Sequence, residues 1–150
     1  MTFQDVFSDL RRQAGLSQNE VADRLFVTRQ AVSRWERGET VPEVETLQAL
    51  SKLFGVSINT LLGSPRPLVC QSCGMPLSDD ELLAREADGT FQEKYCKWCW
   101  NGGDFATDCT MEEMVEQCLP FMPLTASDPE ASRAYLRSLL PTLERWKQPD

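Results

Sequence analysis

The chain has 150 residues, 41% of them apolar and 25% charged, which is ordinary globular usage and excludes a wholly disordered or collagen-like polypeptide. Its formal net charge of −8 argues against a general polyanion binder, although a local docking face can still be basic. Histidine is absent, so imidazole catalysis is excluded and any zinc site must use cysteine or carboxylate.

No apolar run approaches the roughly 18 residues of a membrane span, and Met1-Thr2-Phe3-Gln4-Asp5 does not begin a secretory signal. A cytoplasmic setting is therefore expected, with no membrane partner. In a reducing compartment the six cysteines read as metal ligands, redox groups or core residues rather than structural disulfides. The acidity is uneven. Residues 1–63 hold seven Lys/Arg against eight Asp/Glu, whereas residues 64–150 hold eight against fifteen.

Residues 1–63 read as five short helices. Phe3, Val6, Phe7, Leu10 and Ala14 follow the spacing of one helical face, ended by Gly15. Ser17-Gln18-Asn19-Glu20 is a capping box that opens a second helix through Val21, Ala22 and Leu25. Thr28 caps a third, with Ala31, Val32 and Trp35 facing inward and a stop at Gly38. Thr40-Val41-Pro42-Glu43 has the pattern of another capping box, and Val44, Leu47, Leu50 and Phe54 form the stripe of the fourth helix. The fifth is short, around Ile58, Leu61 and Leu62. Gly63-Ser64-Pro65-Arg66-Pro67 follows, and residues 64–67 read as a linker no helix can cross.

Residues 68–125 hold all six cysteines. Cys70-Gln71-Ser72-Cys73-Gly74 and Cys96-Lys97-Trp98-Cys99 are two C-x-x-C knuckles that can aim four thiolates at one point. The four-sulfur set suits zinc, one per chain and structural, with iron as a softer possibility. Asp88-Gly89 predicts a tight hairpin turn and Phe91–Tyr95 a strand. Thr110-Met111-Glu112-Glu113 is a further capping box, opening a helix ended by Pro120. Cys118 falls on its apolar face and reads as a core thiol. Cys109 precedes the helix start, and a thiol at that place reads as a candidate reactive group. Trp98 and Trp100 read as packing over the small core. Residues 126–150 form an amphipathic C-terminal helix with the stripe Ala131, Tyr135, Leu136, Leu139, Leu140, Leu143 and Trp146, kinked by Pro141. That stripe can close over the cysteine segment or pair two chains.

The run from Leu16-Ser17-Gln18 to Val32-Ser33-Arg34-Trp35-Glu36-Arg37-Gly38 resembles the helix-turn-helix of phage-repressor and Cro-like (XRE-type) bacterial regulators. The resemblance covers about the first 60 residues. It implies a mainly α protein with a five-helix, lambda-repressor-like N-terminal domain and a double-stranded DNA operator, and because one such motif covers only a few base pairs, useful affinity suggests a homodimer. It also implies that Arg29, Gln30 and Arg34 read bases, as their side-chain chemistry allows. Thr28 and Ser33 would touch base or phosphate, Gln18 a phosphate, and Arg37 a phosphate rather than a base. One departure is Phe26, where the family often has glycine in the turn. Cys70 to Leu77 with Tyr95 to Cys99 resembles a family of zinc-ribbon domains of bacterial proteins, some joined to a DNA-binding module. It implies a short β-hairpin with helices after it.

The function that follows is a sequence-specific transcriptional regulator, not an enzyme. The alternative is a metal- or redox-responsive sensor or protein-interaction module, an antitoxin-like role included, with an unidentified effector or protein partner.

Overall fold

In the computed structural model, residues 1–123, 125 and 127–147 are described, and the chain divides into two units, one built on Met1–Pro67 and the other on the segment from Leu68 onward. Ala126 and residues 148–150 of the expected C-terminal segment lie outside the described residues.

The first unit contains α1 (Phe3–Gln13), α2 (Gln18–Leu25), α3 (Arg29–Glu36), α4 (Val44–Phe54) and α5 (Ile58–Leu61). Its core is Phe3, Phe7, Val21, Ala22, Val32, Trp35, Leu47, Leu50 and Leu61. Phe7 organises it, stacking on Phe3 at 5.5 Å and meeting Trp35 and Phe54 edge-on at 5.9 and 6.1 Å. The helix starts are set by side-chain caps. Ser17 and Glu20 form the expected capping box on α2, and Thr28 accepts from the Ala31 N–H on α3. Thr2 and Asp5 form another on α1.

Two expectations fail around α4. Thr40 forms no capping box, and the N-cap is Glu43 without a side-chain bond. Helix start at Thr40 would need Val41 in the α region, which the ring of Pro42 disfavours in its preceding residue. With the helix begun at Val44 instead, Val44 lies in the first turn and is 62% exposed. Ala14, the last residue of the expected α1 stripe, is exposed as well, at the end where the helix stops.

The second unit begins with the first knuckle and an isolated bridge between Val69 and Pro76. A 3-10 turn (Asp80–Leu82) capped by Asp79 leads to β1 (Leu83–Arg85), which pairs with β2 (Phe91–Cys96) through the expected turn at Asp88-Gly89. A second hairpin follows, with β3 (Trp100–Asn101) antiparallel to β4 (Asp104–Phe105) around Gly102-Gly103. Then come α6 (Met111–Cys118), opened by the Thr110/Glu113 capping box, and α7 (Pro129–Leu139), capped by Asp128. Pro141, expected to kink or split a longer helix, instead falls just past the end of α7, and residues Leu140–Thr142 continue as one 3-10 turn.

The face of α7 is rotated from the expected stripe. Ser132, Leu136 and Leu140 are buried while Ala131 and Tyr135 are exposed. Ser132 tolerates burial because its hydroxyl accepts from Thr125. Arg133 reaches Glu116 and Glu130, and Arg137 reaches Glu112, so charge pairs line the seam between α6 and α7. Beyond the helix, Leu143 is buried and the chain folds back over the first knuckle.

Candidate nucleic-acid interface and metal centre

The geometry of the first site starts from how α2 and α3 are held. Val21 and Ala22 of α2 and Val32 and Trp35 of α3 are buried. Helical periodicity then puts Arg29, Gln30 and Arg34 on the outer side of α3, where all three are exposed. Among the described residues no hydrogen bond ties down these three side chains. Thr28 is engaged as the cap. Ser33 accepts from Arg37 at 2.8 Å, and Arg37 also pairs with Glu39 at 2.8 Å.

Gln18 is engaged too. Its amide donates to Glu36 at 3.1 Å, and Arg11 of α1 pairs with the same carboxylate. Burial pushes the Glu36 carboxyl up, but the hydrogen bonds from Arg11 and Gln18, aided by the charges of Arg11 and Arg12, hold it below the usual carboxylate range. This carboxylate therefore ties α1, α2 and α3 together. Sequence reading missed it, because Arg11 and Glu36 are 25 residues apart and no local pattern links them.

Between α2 and α3, Phe26 has φ +57 and ψ +40, the left-handed region. Its N–H closes α2 onto the Ala22 carbonyl, while its ring is 96% exposed. The geometry is thus the one glycine usually serves, and among the described residues the aromatic ring stands open to solvent.

In the second unit the ligand atoms of Cys70, Cys73, Cys96 and Cys99 all lie within 4.8 Å of one another. Each knuckle is shaped by its backbone. Gly74 donates to the Cys70 carbonyl at 2.9 Å and Cys99 to the Cys96 carbonyl at 3.1 Å. The Cys96 N–H points at the Cys70 sulfur at 3.3 Å. Gly74 is required twice over. Its φ is +80, and a Cβ there would sit 2.6 Å from Leu139 Cδ2. Cys70, Cys96 and Cys99 are buried, whereas Cys73 is half-buried. The Cys73 and Cys96 sulfurs are 3.9 Å apart. Four thiol sulfurs converging on one point are a donor set that fits a soft, tetrahedral cation such as zinc.

The family comparisons agree with both geometries. Residues 8–61 match the helix-turn-helix family model and residues 69–147 match the one described as "Putative zinc ribbon domain". The transcriptional regulator ImmR of Bacillus subtilis is 38% identical over 96 residues, covering 57% of this chain and 76% of its own.

The chain belongs to the HTH-type transcriptional regulators, and it carries a zinc ribbon domain.

This regulator also resembles the transcriptional activator BcrR of Enterococcus faecalis, at 40% identity over 62 residues, or 41% of this chain and 30% of that one. A solved transcriptional regulator from Listeria innocua matches with a TM-score of 0.42 and 31% identity, over 45% of this chain and 63% of that one. The chain spans about a third of the length of the first relatives it matches. Among its described residues no helix is long and apolar enough to cross a membrane.

Around the zinc-ribbon cysteines the regulator builds a shell of aromatic and cationic groups. Tyr95 and Trp100 stack at 5.1 Å, and Phe105 meets both edge-on. Arg145 lies 4.0 Å over the Phe105 ring and donates to the Ser72 hydroxyl and the Thr107 carbonyl. Trp146 donates its indole N–H to the Ser72 carbonyl at 2.7 Å. The C-terminal stripe thus closes over the first knuckle, one of its two expected uses. Trp100 packs as expected, but Trp98 is 60% exposed, with Lys97 over its ring. The Cys118 thiol, expected in an apolar core, instead lies 4.0 Å from the Cys73 carbonyl oxygen, beside the first knuckle.

Proposed function

We propose that this chain is a cytoplasmic, operator-specific DNA-binding regulator that works as a homodimer. The observation that carries the reading is the outer side of α3, where Arg29, Gln30 and Arg34 stand exposed behind the Thr28 cap while Val32 and Trp35 anchor the helix. A helix so presented fits the major groove, where arginine pairs with guanine and glutamine with adenine. Thr28 and Ser33 sit beside these readers, and Arg37 and Gln18 supply phosphate contacts. Gln18 is pre-positioned by Glu36 at the start of α2, where helix-end N–H groups also favour an anion. One helix reads only a few base pairs, so two copies on half-sites about 10 base pairs apart give useful affinity.

In the same reading Cys70, Cys73, Cys96 and Cys99 hold one zinc per chain. The closed four-thiolate set leaves no open coordination position, so the metal's contribution is structural rather than catalytic, and the protein is a binder and not an enzyme. A unit this small gains much of its stability from such a staple.

Native mass spectrometry of reduced protein, purified without chelator, reports chain number and metal together. A dimer with one zinc per chain that selects a two-half-site duplex from a randomised pool supports the reading. A metal-free monomer that enriches no duplex sequence refutes it.

A second reading, a redox-responsive sensor, is favoured by one observation, the placement of Cys118 against Cys73.

A further inference from the structure

The structure assigns to Cys118 a role beside the metal ligands. We propose that Cys73 and Cys118 are a hydroperoxide-sensitive pair whose disulfide removes one ligand from the zinc site.

Three observations converge on this pair. A fifth thiol stands beside the site, because the last residue of α6 places the Cys118 sulfur 4.0 Å from the Cys73 carbonyl oxygen. Cys73 is the one half-buried ligand, while Cys70, Cys96 and Cys99 are at most 6% exposed. Cys118 is half-buried as well, so both members of the pair are more open to an oxidant than the other three ligands. Cys96 also lies near Cys73, at 3.9 Å between sulfurs, but it is a ligand itself, buried and committed to the same cation. Cys118 is the adjacent thiol left outside the ligand set. The inference rests on the four-cysteine cluster holding zinc.

The chemistry balances with hydrogen peroxide as the named oxidant. The Cys73 thiolate attacks one peroxide oxygen, so an S–O bond forms, the O–O bond breaks and hydroxide leaves. The Cys118 sulfur then attacks the Cys73 sulfur. An S–S bond forms, the S–O bond breaks, and the Cys118 proton departs with the hydroxyl as water. Two electrons pass from the two sulfurs to the peroxide. Three thiolates remain for the metal, and a chromogenic chelator can then capture it.

Full-length zinc-loaded protein is treated with hydrogen peroxide. Released zinc is followed with such a chelator, and the product is digested under non-reducing conditions for peptide mapping. The expected result is a Cys73–Cys118 linked peptide that appears in step with zinc release, both reversed by reductant and added zinc. Cys118→Ser and Cys118→Ala should load one zinc per chain yet release it at least about tenfold more slowly. Zinc release at the wild-type rate from either variant overturns the proposal. Should both variants fail to load, the wild-type map decides alone, and Cys70–Cys73 or Cys96–Cys99 as the first disulfide overturns it. Protein that never binds zinc refutes the metal reading instead, and so marks a different failure.

Discussion

Arg11 of α1 and Glu36 of α3 form a half-buried ion pair, and Gln18 of α2 donates to the same carboxylate. Three helices therefore meet at one charge. Arg11 also donates to the Leu16 carbonyl, which fixes the loop before α2. Replacing Glu36 with alanine leaves the Arg11 guanidinium without its acceptor. The expected loss is about 2 kcal/mol of unfolding free energy, read from chemical denaturation.

The same carboxylate makes stability pH-dependent. Its folded pKa lies below the ordinary carboxylate range, so its contribution is fully present above that range and is lost as pH falls through the folded value. Thermal midpoints should therefore drop between about pH 5 and pH 3, and Glu36→Gln should flatten part of that drop. An identical pH profile in the variant would show that Glu36 is not the linked group.

Phe26 occupies the left-handed region with its ring exposed, so its side chain returns no packing for the strain. Phe26→Gly should raise the stability of the first unit by about 1 kcal/mol, the scale of the left-handed penalty for a residue with a Cβ. A higher thermal midpoint checks this. A lower one would mean the ring makes contacts in solution.

Gly74→Ala should act in the opposite direction. The added Cβ meets both a positive φ and the Leu139 side chain at 2.6 Å. The expected cost is about 2–4 kcal/mol, from backbone strain plus overpacking. Tryptophan near-ultraviolet circular dichroism should report it, because Trp100 and Trp146 flank the knuckles.

At the proposed operator, Gln30→Ala and Arg34→Ala should each cost about 1–3 kcal/mol and relax selectivity at one base position. Arg37→Ala should instead weaken all sequences alike and lower the salt slope by about 1. Titrations at several salt concentrations separate the two behaviours.

The sequence by itself determined what local rules control. Ser17, Thr28 and Thr110 announce helix starts because a capping hydroxyl and its N–H partner lie three residues apart. The Asp88-Gly89 turn and the two knuckles were legible for the same reason, since each is decided by its own few residues. Phe26 shows a position where local preference is overruled, because closing α2 onto Ala22 dictates its backbone whatever the side chain. What only the tertiary structure decided is which distant groups meet. Glu36 against Arg11, Arg145 and Trp146 on Ser72, and Cys118 beside Cys73 are separated by 25 to 74 residues. No periodicity encodes such pairs. They form because burying Phe7, Leu136 and Leu143 fixes where each helix and chain end lies, and the polar partners are then placed by that packing.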